Sequence, residues 1–63
     1  MGTKEKIDIY EDFLIRLAEA NWDGNRNRIN LLLKRLDRWF AANNMEITAA
    51  EKQEEIEKAL RNL

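Results

Sequence analysis

The chain has 63 residues, enough for one small domain, and its 11 Lys and Arg nearly balance its 12 Asp and Glu. With 44% apolar and 37% charged residues, it is neither a disordered polyelectrolyte nor a membrane segment. Cys, His and Ser are absent, which excludes disulfides, thiolate metal sites, a histidine base and a serine nucleophile. We therefore expect a single domain over residues 1–63 that is not an enzyme.

The apolar residues do not form a targeting or membrane segment. No apolar run follows the first residues, and the longest uninterrupted apolar stretch is the four residues 39–42. A signal peptide and a transmembrane span both need a longer run, so neither is predicted. We expect a cytoplasmic or recombinant soluble protein that does not act on a membrane.

The first predicted helix covers about residues 3–21. Gly24, which can adopt positive φ, predicts its end. Two isoleucines, Ile9 and Ile15, fall outside the apolar stripe at helical spacing, whereas Asp8 and Asp12 lie on the polar side and are expected to be solvated. The residues of the stripe are Ile7, Tyr10, Phe13, Leu14, Leu17 and Ala18.

The second predicted helix covers about residues 25–43, with Asp23 or Asn25 as its N-cap. Asn43 and Asn44 can adopt the left-handed conformation that ends a helix. Leu31 points away from the apolar stripe and lies among Lys34, Arg35 and Arg38. The stripe consists of Ile29, Leu32, Leu33, Leu36, Trp39 and Phe40.

The third predicted helix covers about residues 48–62. Thr48 and Glu51 have the spacing of a capping box, in which each side chain accepts a hydrogen bond from the backbone amide of the other residue. The apolar stripe is thinner here and consists of Ala49, Ile56, Ala59, Leu60 and Leu63. Opposite charges four residues apart are expected to pair along the helices, at Asp12/Arg16, Glu54/Lys58 and Glu57/Arg61.

Three amphipathic helices with short connections predict an all-α fold, a compact antiparallel three-helix bundle. The net charges of residues 1–23, 24–44 and 45–63 are −3, +4 and −2, which favours the basic helix lying between the two acidic ones. Trp22 is expected to cover one end of the bundle. The predicted core consists of Phe13, Leu14, Leu17, Ile29, Leu32, Leu33, Leu36, Trp39, Phe40, Ile56 and Leu60.

No motif predicts a metal, a cofactor or a small-molecule substrate. Residues 23–27 start like a calcium-binding loop, with oxygen ligands at alternate positions. The glycine and the glutamate that such a loop requires are replaced by Arg28 and Lys34. Turn formation and helix capping account for these residues instead.

The expected function is that of a non-enzymatic helical bundle, either an engineered scaffold or a module that binds another protein or a second copy of the chain. The predicted surface consists of Ile9, Ile15, Leu31, Arg35 and Arg38. The three apolar side chains of this set fall outside the core stripes, and the two arginines lie beside Leu31. The restricted alphabet and the capping residues favour an engineered scaffold, whereas the Asn clusters and off-stripe residues favour a natural interaction module.

The alternative function is a small RNA-binding or regulatory protein that uses the basic side of the second helix, as a dimer in one version. Guanidinium groups along one helix can follow phosphates. The pI of 5.4 and the glutamates of the third helix disfavour nucleic acid. Retention on a polyanion column would separate the two hypotheses.

Overall fold

A computed structural model describes residues 3–61, with the side chain of Thr3 left out. The helices are α1 (Thr3–Trp22), α2 (Arg26–Ala42) and α3 (Ala49–Arg61), and these residues include no strand. The predicted all-α three-helix bundle is confirmed, with helix bounds within a residue or two of the expected ones. Residue 62 and Leu63, which the sequence assigned to the third helix, lie outside the described residues.

The turn between α1 and α2 is built around Gly24, whose φ of +69° is positive. The Gly24 amide donates to the Asn21 carbonyl at 3.1 Å, and the Asn25 amide donates to the Ala20 carbonyl at 2.9 Å. This pair of bonds is a Schellman motif, which satisfies the last carbonyls of α1. Asn25 then caps α2, because its side-chain oxygen accepts from the Arg28 amide at 3.1 Å.

The end of α2 differs from the expectation for Asn43 and Asn44. Within residues 3–61, no residue other than glycine has a positive φ, and Asn43 is extended. Its backbone amide and its side-chain amide both donate to the Trp39 carbonyl, at 3.0 Å and 2.8 Å. Asn43 therefore ends the helix through side-chain hydrogen bonding, and the left-handed conformation is not needed.

Half of the predicted capping box is formed at the start of α3. The Thr48 hydroxyl accepts from the Glu51 amide at 3.1 Å. The reciprocal bond from the Thr48 amide to the Glu51 carboxylate is absent from the described residues. One capping bond still satisfies one of the four free amides in the first turn.

The core is small and lies between all three helices. Leu17 and Leu36 are fully buried at its centre, and Tyr10 and Phe13 of α1 stack at a tilt against Phe40 and Trp39 of α2. The buried side chains are Tyr10, Leu17, Ala20, Leu32, Leu36 and Ile56. Around them pack the partly buried Phe13, Leu14, Ile29, Leu33, Trp39, Phe40, Met45, Ile47, Ala59 and Leu60.

All eleven residues of the predicted core therefore lie in or against this cluster. The apolar stripes predicted for the helices, however, include residues that the structure places outside the core. Ile7 and Ala49 are exposed, because they lie at helix starts where no neighbouring helix covers them. Ala20, Met45 and Ile47 join the core without having been expected there. Met45 and Ile47 belong to the α2–α3 connection, which has no helical period to reveal a buried side.

The order of the helices also differs from the expected one. The acidic α1 packs against both α2 and α3, whereas no Cα atoms of α2 and α3 in the described residues come within 8 Å of each other. Charge alternation had favoured a central α2. Exposed ion pairs contribute at most about 1 kcal/mol, whereas one buried large apolar side chain contributes about 1.5–3 kcal/mol. The wide apolar surface of α1 therefore decides the order.

Side chains complete the contacts that the backbones of α2 and α3 do not make. The Lys52 ammonium of α3 lies 2.8 Å from the Asp37 carboxylate and 4.9 Å from the centre of the Phe40 ring. The side-chain amide of Asn21 donates to the Leu60 carbonyl and joins the ends of α1 and α3. The Lys52 contacts therefore join α3 to α2, and the Asn21 bond joins the C-terminal ends of α1 and α3.

The predicted surface ion pairs form in one of three cases. Arg16 Nε lies 2.7 Å from Asp12 Oδ2 on the exposed side of α1. The pairs Glu54/Lys58 and Glu57/Arg61 do not come within 4.0 Å in the described part of the chain. Pairs of this kind contribute only a few tenths of a kcal/mol, because ordering two long side chains offsets the attraction.

Candidate functional site

An open apolar groove runs along the outer side of α1, next to α3. Its first part is lined by Leu14, Ile15 and Ala18 of α1 with Ala59 of α3. Ile15 and Ala18 continue into a second part that reaches Trp22. We call these five residues the apolar groove. Its two largest exposed side chains are Ile15, 57% exposed, and Trp22, 71% exposed.

Helix geometry explains why these side chains share one side of α1. Ile15, Ala18 and Trp22 follow each other at steps of three and four residues, which repeats the spacing of a helix-packing seam. The expected role of Trp22 as a cover for the bundle end is wrong, because the Gly24 turn leaves it outside the core. The three-four spacing from Ile15 to Trp22 was the sequence signal for this groove.

The rim of the apolar groove is acidic. The side chains around it are Glu19 and Asp23 of the α1 end and Glu55 and Lys58 of α3. The last turn of α1 contains no basic residue. A carboxylate at a helix C-terminus opposes the negative end of the macrodipole, so Glu19 in the last turn of α1 does not stabilise its own helix.

A second surface lies on the outer side of α2. Leu31, 47% exposed, lines a shallow depression with Lys34, Arg35 and Arg38, and we call these four residues the basic face. Asp37 lies at its border, where Lys52 neutralises it. Within residues 3–61, Lys34, Arg35 and Arg38 have no carboxylate within 4.0 Å, so their charge is directed to solvent.

The first turn of α2 adds to this positive charge. It contains Arg26 and Arg28 and no acidic residue. Basic residues at a helix N-terminus oppose the positive end of the macrodipole, at a cost of a few tenths of a kcal/mol or more. Arg26 and Arg28 therefore do not stabilise the start of their own helix.

The predicted partner surface is divided by the structure into three places. Ile15 belongs to the apolar groove, and Leu31, Arg35 and Arg38 belong to the basic face. Ile9, 38% exposed, lies six residues before Ile15 and is rotated by about 120° around α1, so it shares neither surface. Trp22 and Ala18 complete the groove and were not in the predicted set.

Tyr10 is the one side chain in the described part whose buried polar atom has no hydrogen-bond partner. Burial of the phenol, and the nearby carboxylates of Glu55 and Glu51, raise the pKa of Tyr10 well above its usual range. The phenol therefore stays protonated at neutral pH. It cannot act as a phenolate nucleophile or base there.

Outside the apolar groove and the basic face, the described residues form a small cavity and no cluster of metal-binding side chains. In residues 3–61, no cluster of three or more His, Cys, Asp or Glu side chains could hold a metal ion. Asp12 pairs with Arg16, and Asp8 is exposed on the same helix. A cavity of about 150 Å³ between Lys6, Ile7 and the α2–α3 connection is smaller than the roughly 300–1,000 Å³ of small-molecule sites. The apolar groove and the basic face have volumes within that range, but they are more open to solvent. None of the described helices is both long and apolar enough to cross a membrane.

No protein-family model matches the chain, and no curated protein and no solved structure shows significant similarity to it.

Proposed function

We propose that the protein is a non-catalytic interaction module, and that its apolar groove binds an α-helix of a protein partner. The observation that carries this proposal is the continuous row formed by the exposed Ile15 and Trp22 with the half-buried Ala18 between them, beside Ala59 of α3. Single exposed apolar side chains are ordinary, whereas a row at helix-packing spacing between two helices is a docking surface for a third.

The rim determines which helix fits. Glu19, Asp23 and Glu55 outnumber Lys58 around the groove. The matching partner is an amphipathic helix with leucine-type side chains on one side and Lys or Arg beside them. Burial of Ile15 and Trp22 provides about 1.5–3 kcal/mol each before ordering costs, and the carboxylates orient the partner and speed its approach.

One feature of the sequence and one of the structure support a function without catalysis. Cys, His and Ser are absent, so the commonest nucleophiles and bases are missing. The phenol of Tyr10 is buried. The engineered origin that the restricted alphabet favours stays a prediction, and both a designed scaffold and a natural module would use the groove in the same way.

The experiment follows Trp22 fluorescence in a Trp39→Phe background, so that Trp22 is the only tryptophan. A synthetic amphipathic Leu/Lys helix is titrated at low salt and at dilute protein. We expect a blue shift of the emission as the indole leaves water. Ile15→Glu adds a negative charge to an acidic rim yet removes apolar surface, so we expect it to abolish the shift.

Two controls make the result specific. Ile9→Glu introduces the same change on α1 outside the groove and is expected to leave the titration unchanged. A Leu/Glu helix of the same pattern is expected not to bind. An unshifted Trp22 emission with the Leu/Lys helix, or equal binding by the Ile15→Glu variant, contradicts the proposal.

A second candidate function is RNA binding by the basic face, which Lys34, Arg35 and Arg38 support because they share one side of α2 without acidic partners in the described residues. Against it stand the pI of 5.4 and the glutamates of α3. Retention on a polyanion column at low salt, lost in Arg35→Glu/Arg38→Glu, would favour this function. Elution in the flow-through would remove it.

A further inference from the structure

We propose that the helix bound by the apolar groove is α2 of a second copy of this chain, which presents its basic face. This inference rests on the proposed function, because it requires the groove to be a helix-binding site. It adds the identity of the partner and the way in which copies are joined. Each copy carries both halves of the contact and associates head to tail.

Charge complementarity identifies the second copy. The groove has three carboxylates on its rim, Glu19, Asp23 and Glu55, whereas the basic face presents Lys34, Arg35 and Arg38. Residues 1–23 carry a net charge of −3 and residues 24–44 a net charge of +4. The basic face is thus the kind of surface that the groove's rim attracts.

Shape agrees with charge. Leu31 is the exposed apolar side chain at the N-terminal end of the basic face, with Lys34 and Arg35 one turn further along α2. An apolar side chain flanked by cations is the pattern derived above for the partner helix. Leu31 can enter the depression between Ile15, Ala18 and Ala59, while the cations reach the rim.

The placement of charges at the helix ends gives an independent argument. Glu19 lies in the last turn of α1, and Arg26 and Arg28 lie in the first turn of α2. Both sets oppose the macrodipole of their own helix. A contact with a second copy uses both sets, since each then meets opposite charge that its own helix does not supply.

The two surfaces lie on different sides of the molecule, which fixes the symmetry. The groove is where α1 meets α3, and the basic face lies on α2 opposite the buried Leu36. A groove-to-groove dimer would bring the acidic rims of two copies together. A groove-to-face contact is heterologous, so it leaves one free groove and one free face and permits further addition.

The contact is expected to be weak and sensitive to salt. One helix lying in a shallow groove buries less than the roughly 800 Å² per partner of a stable interface. Exposed charges are screened as ionic strength rises. Association should therefore appear in a dilution series at low salt and diminish when salt is added.

The test measures molar mass by sedimentation for the full chain and for two variants. Ile15→Glu damages the groove and leaves the basic face intact, whereas Arg35→Glu/Arg38→Glu does the reverse. We expect the mass of the unmodified chain to rise with concentration past twice its 7.5 kDa without a plateau. We expect each variant alone to be monomeric.

Mixing the two variants is the decisive step. One intact groove and one intact face remain in the mixture, and the two damaged surfaces repel because both carry added glutamates. We expect an equimolar mixture to form one-to-one pairs that do not grow. Ile9→Glu, and Arg16→Glu/Arg61→Glu with the same charge change, should behave like the unmodified chain, and circular dichroism checks that every variant is folded.

The outcomes separate this inference from the function on which it rests. A chain that stays monomeric throughout, yet binds the Leu/Lys helix, overturns the second copy as partner and leaves the groove as a binding site. Failure of both measurements overturns both proposals. A plateau at a dimer that survives Arg35→Glu/Arg38→Glu overturns the head-to-tail contact, as does a monomeric chain retained by polyanions.

Discussion

The two sides of α1 are both apolar, yet the bundle uses one of them. The inner side carries Leu17 and Ala20, which are fully buried against α2 and α3. The outer side carries Ile15 and Trp22, which are among the most exposed large apolar residues of the described chain. α1 is accordingly the least amphipathic of the three helices.

This difference shows that the apolar surface of a helix can have two separate roles, packing in the core and binding a partner. On the inner side, close packing gives each side chain its contribution to stability. On the outer side, the same residue types contribute less to the stability of the isolated chain, because Ile15 and Trp22 remain more than half exposed to water. Their contribution is available for a partner, which is the basis of the proposed function.

The largest expected effect is a difference in the free energy of unfolding when one residue on each side of α1 is truncated. Leu17→Ala should lower the free energy of unfolding by about 3–5 kcal/mol, because it leaves a cavity in a small core. Ile15→Ala should lower it by less than about 0.5 kcal/mol. Urea unfolding followed by circular dichroism measures both.

The other fully buried leucine serves as the control for this pair. Leu36→Ala on α2 should resemble Leu17→Ala, since both side chains have no exposed surface. Similar losses for Leu17→Ala and Ile15→Ala would contradict the assignment of an inner and an outer side.

A smaller effect is expected at the turn that leaves Trp22 outside. Gly24→Ala should destabilise the fold by about 1–2 kcal/mol, because a Cβ atom disfavours the left-handed conformation. No neighbouring atom lies within 4 Å of the added Cβ, so the cost is conformational rather than steric crowding. Urea unfolding again gives the measurement.

Gly24→Asn is the matched variant, since asparagine tolerates positive φ better than alanine. It should recover part of the loss. Equal stability of the alanine variant and the original chain would show that the turn does not require the left-handed conformation.

The smallest change in the free energy of unfolding at neutral pH is expected for Tyr10, whose buried hydroxyl on the inner side of α1 has no hydrogen-bond partner in the described residues. Tyr10→Phe removes a buried hydroxyl without a partner, so the free energy of unfolding should stay the same or rise by up to about 1 kcal/mol. A clear loss of stability would mean that the hydroxyl donates to a carboxylate, with Glu55 as the candidate.

The same variant tests the raised pKa of Tyr10. In the unfolded chain the phenol ionises near its usual pKa of about 10, whereas the folded chain keeps the proton to a higher pH. The unfolded state then binds fewer protons, so stability should fall as the pH rises above about 10. Tyr10→Phe should make that decline shallower, as urea unfolding on either side of this pH would show.

Much of the fold could be predicted because its signals are local. Gly24, Asn25 and Thr48 mark helix ends through hydrogen bonds to residues only a few positions away. Helical spacing identified the stripes of α1 and α2. Local signals did not predict the burial of Met45 and Ile47, because these side chains pack against residues distant in sequence. They also did not distinguish the two ways in which Asn43 can end a helix, by the left-handed conformation or by a side-chain hydrogen bond.

The candidate site was predicted less completely. Ile15 and Leu31 were singled out because they depart from the stripes, and spacing alone shows that. Joining Ile15 to Ala18, Trp22 and Ala59 requires knowing where α3 lies and which way the Gly24 turn sends the chain. Separating Ile9 from both surfaces requires the same knowledge.

Sequence pattern alone indicated three helices, the positions where they begin and end, most of the apolar side of each, and the absence of the commonest catalytic side chains. The tertiary structure decided which helix is central, which apolar residues remain outside, and that an acidic groove and a basic face lie on different sides of one molecule. The two kinds of interaction act over different distances along the chain. Caps and helical periods depend on neighbours along the chain, whereas burial depends on packing between helices, and there the apolar surface of α1 outweighs the charge pattern.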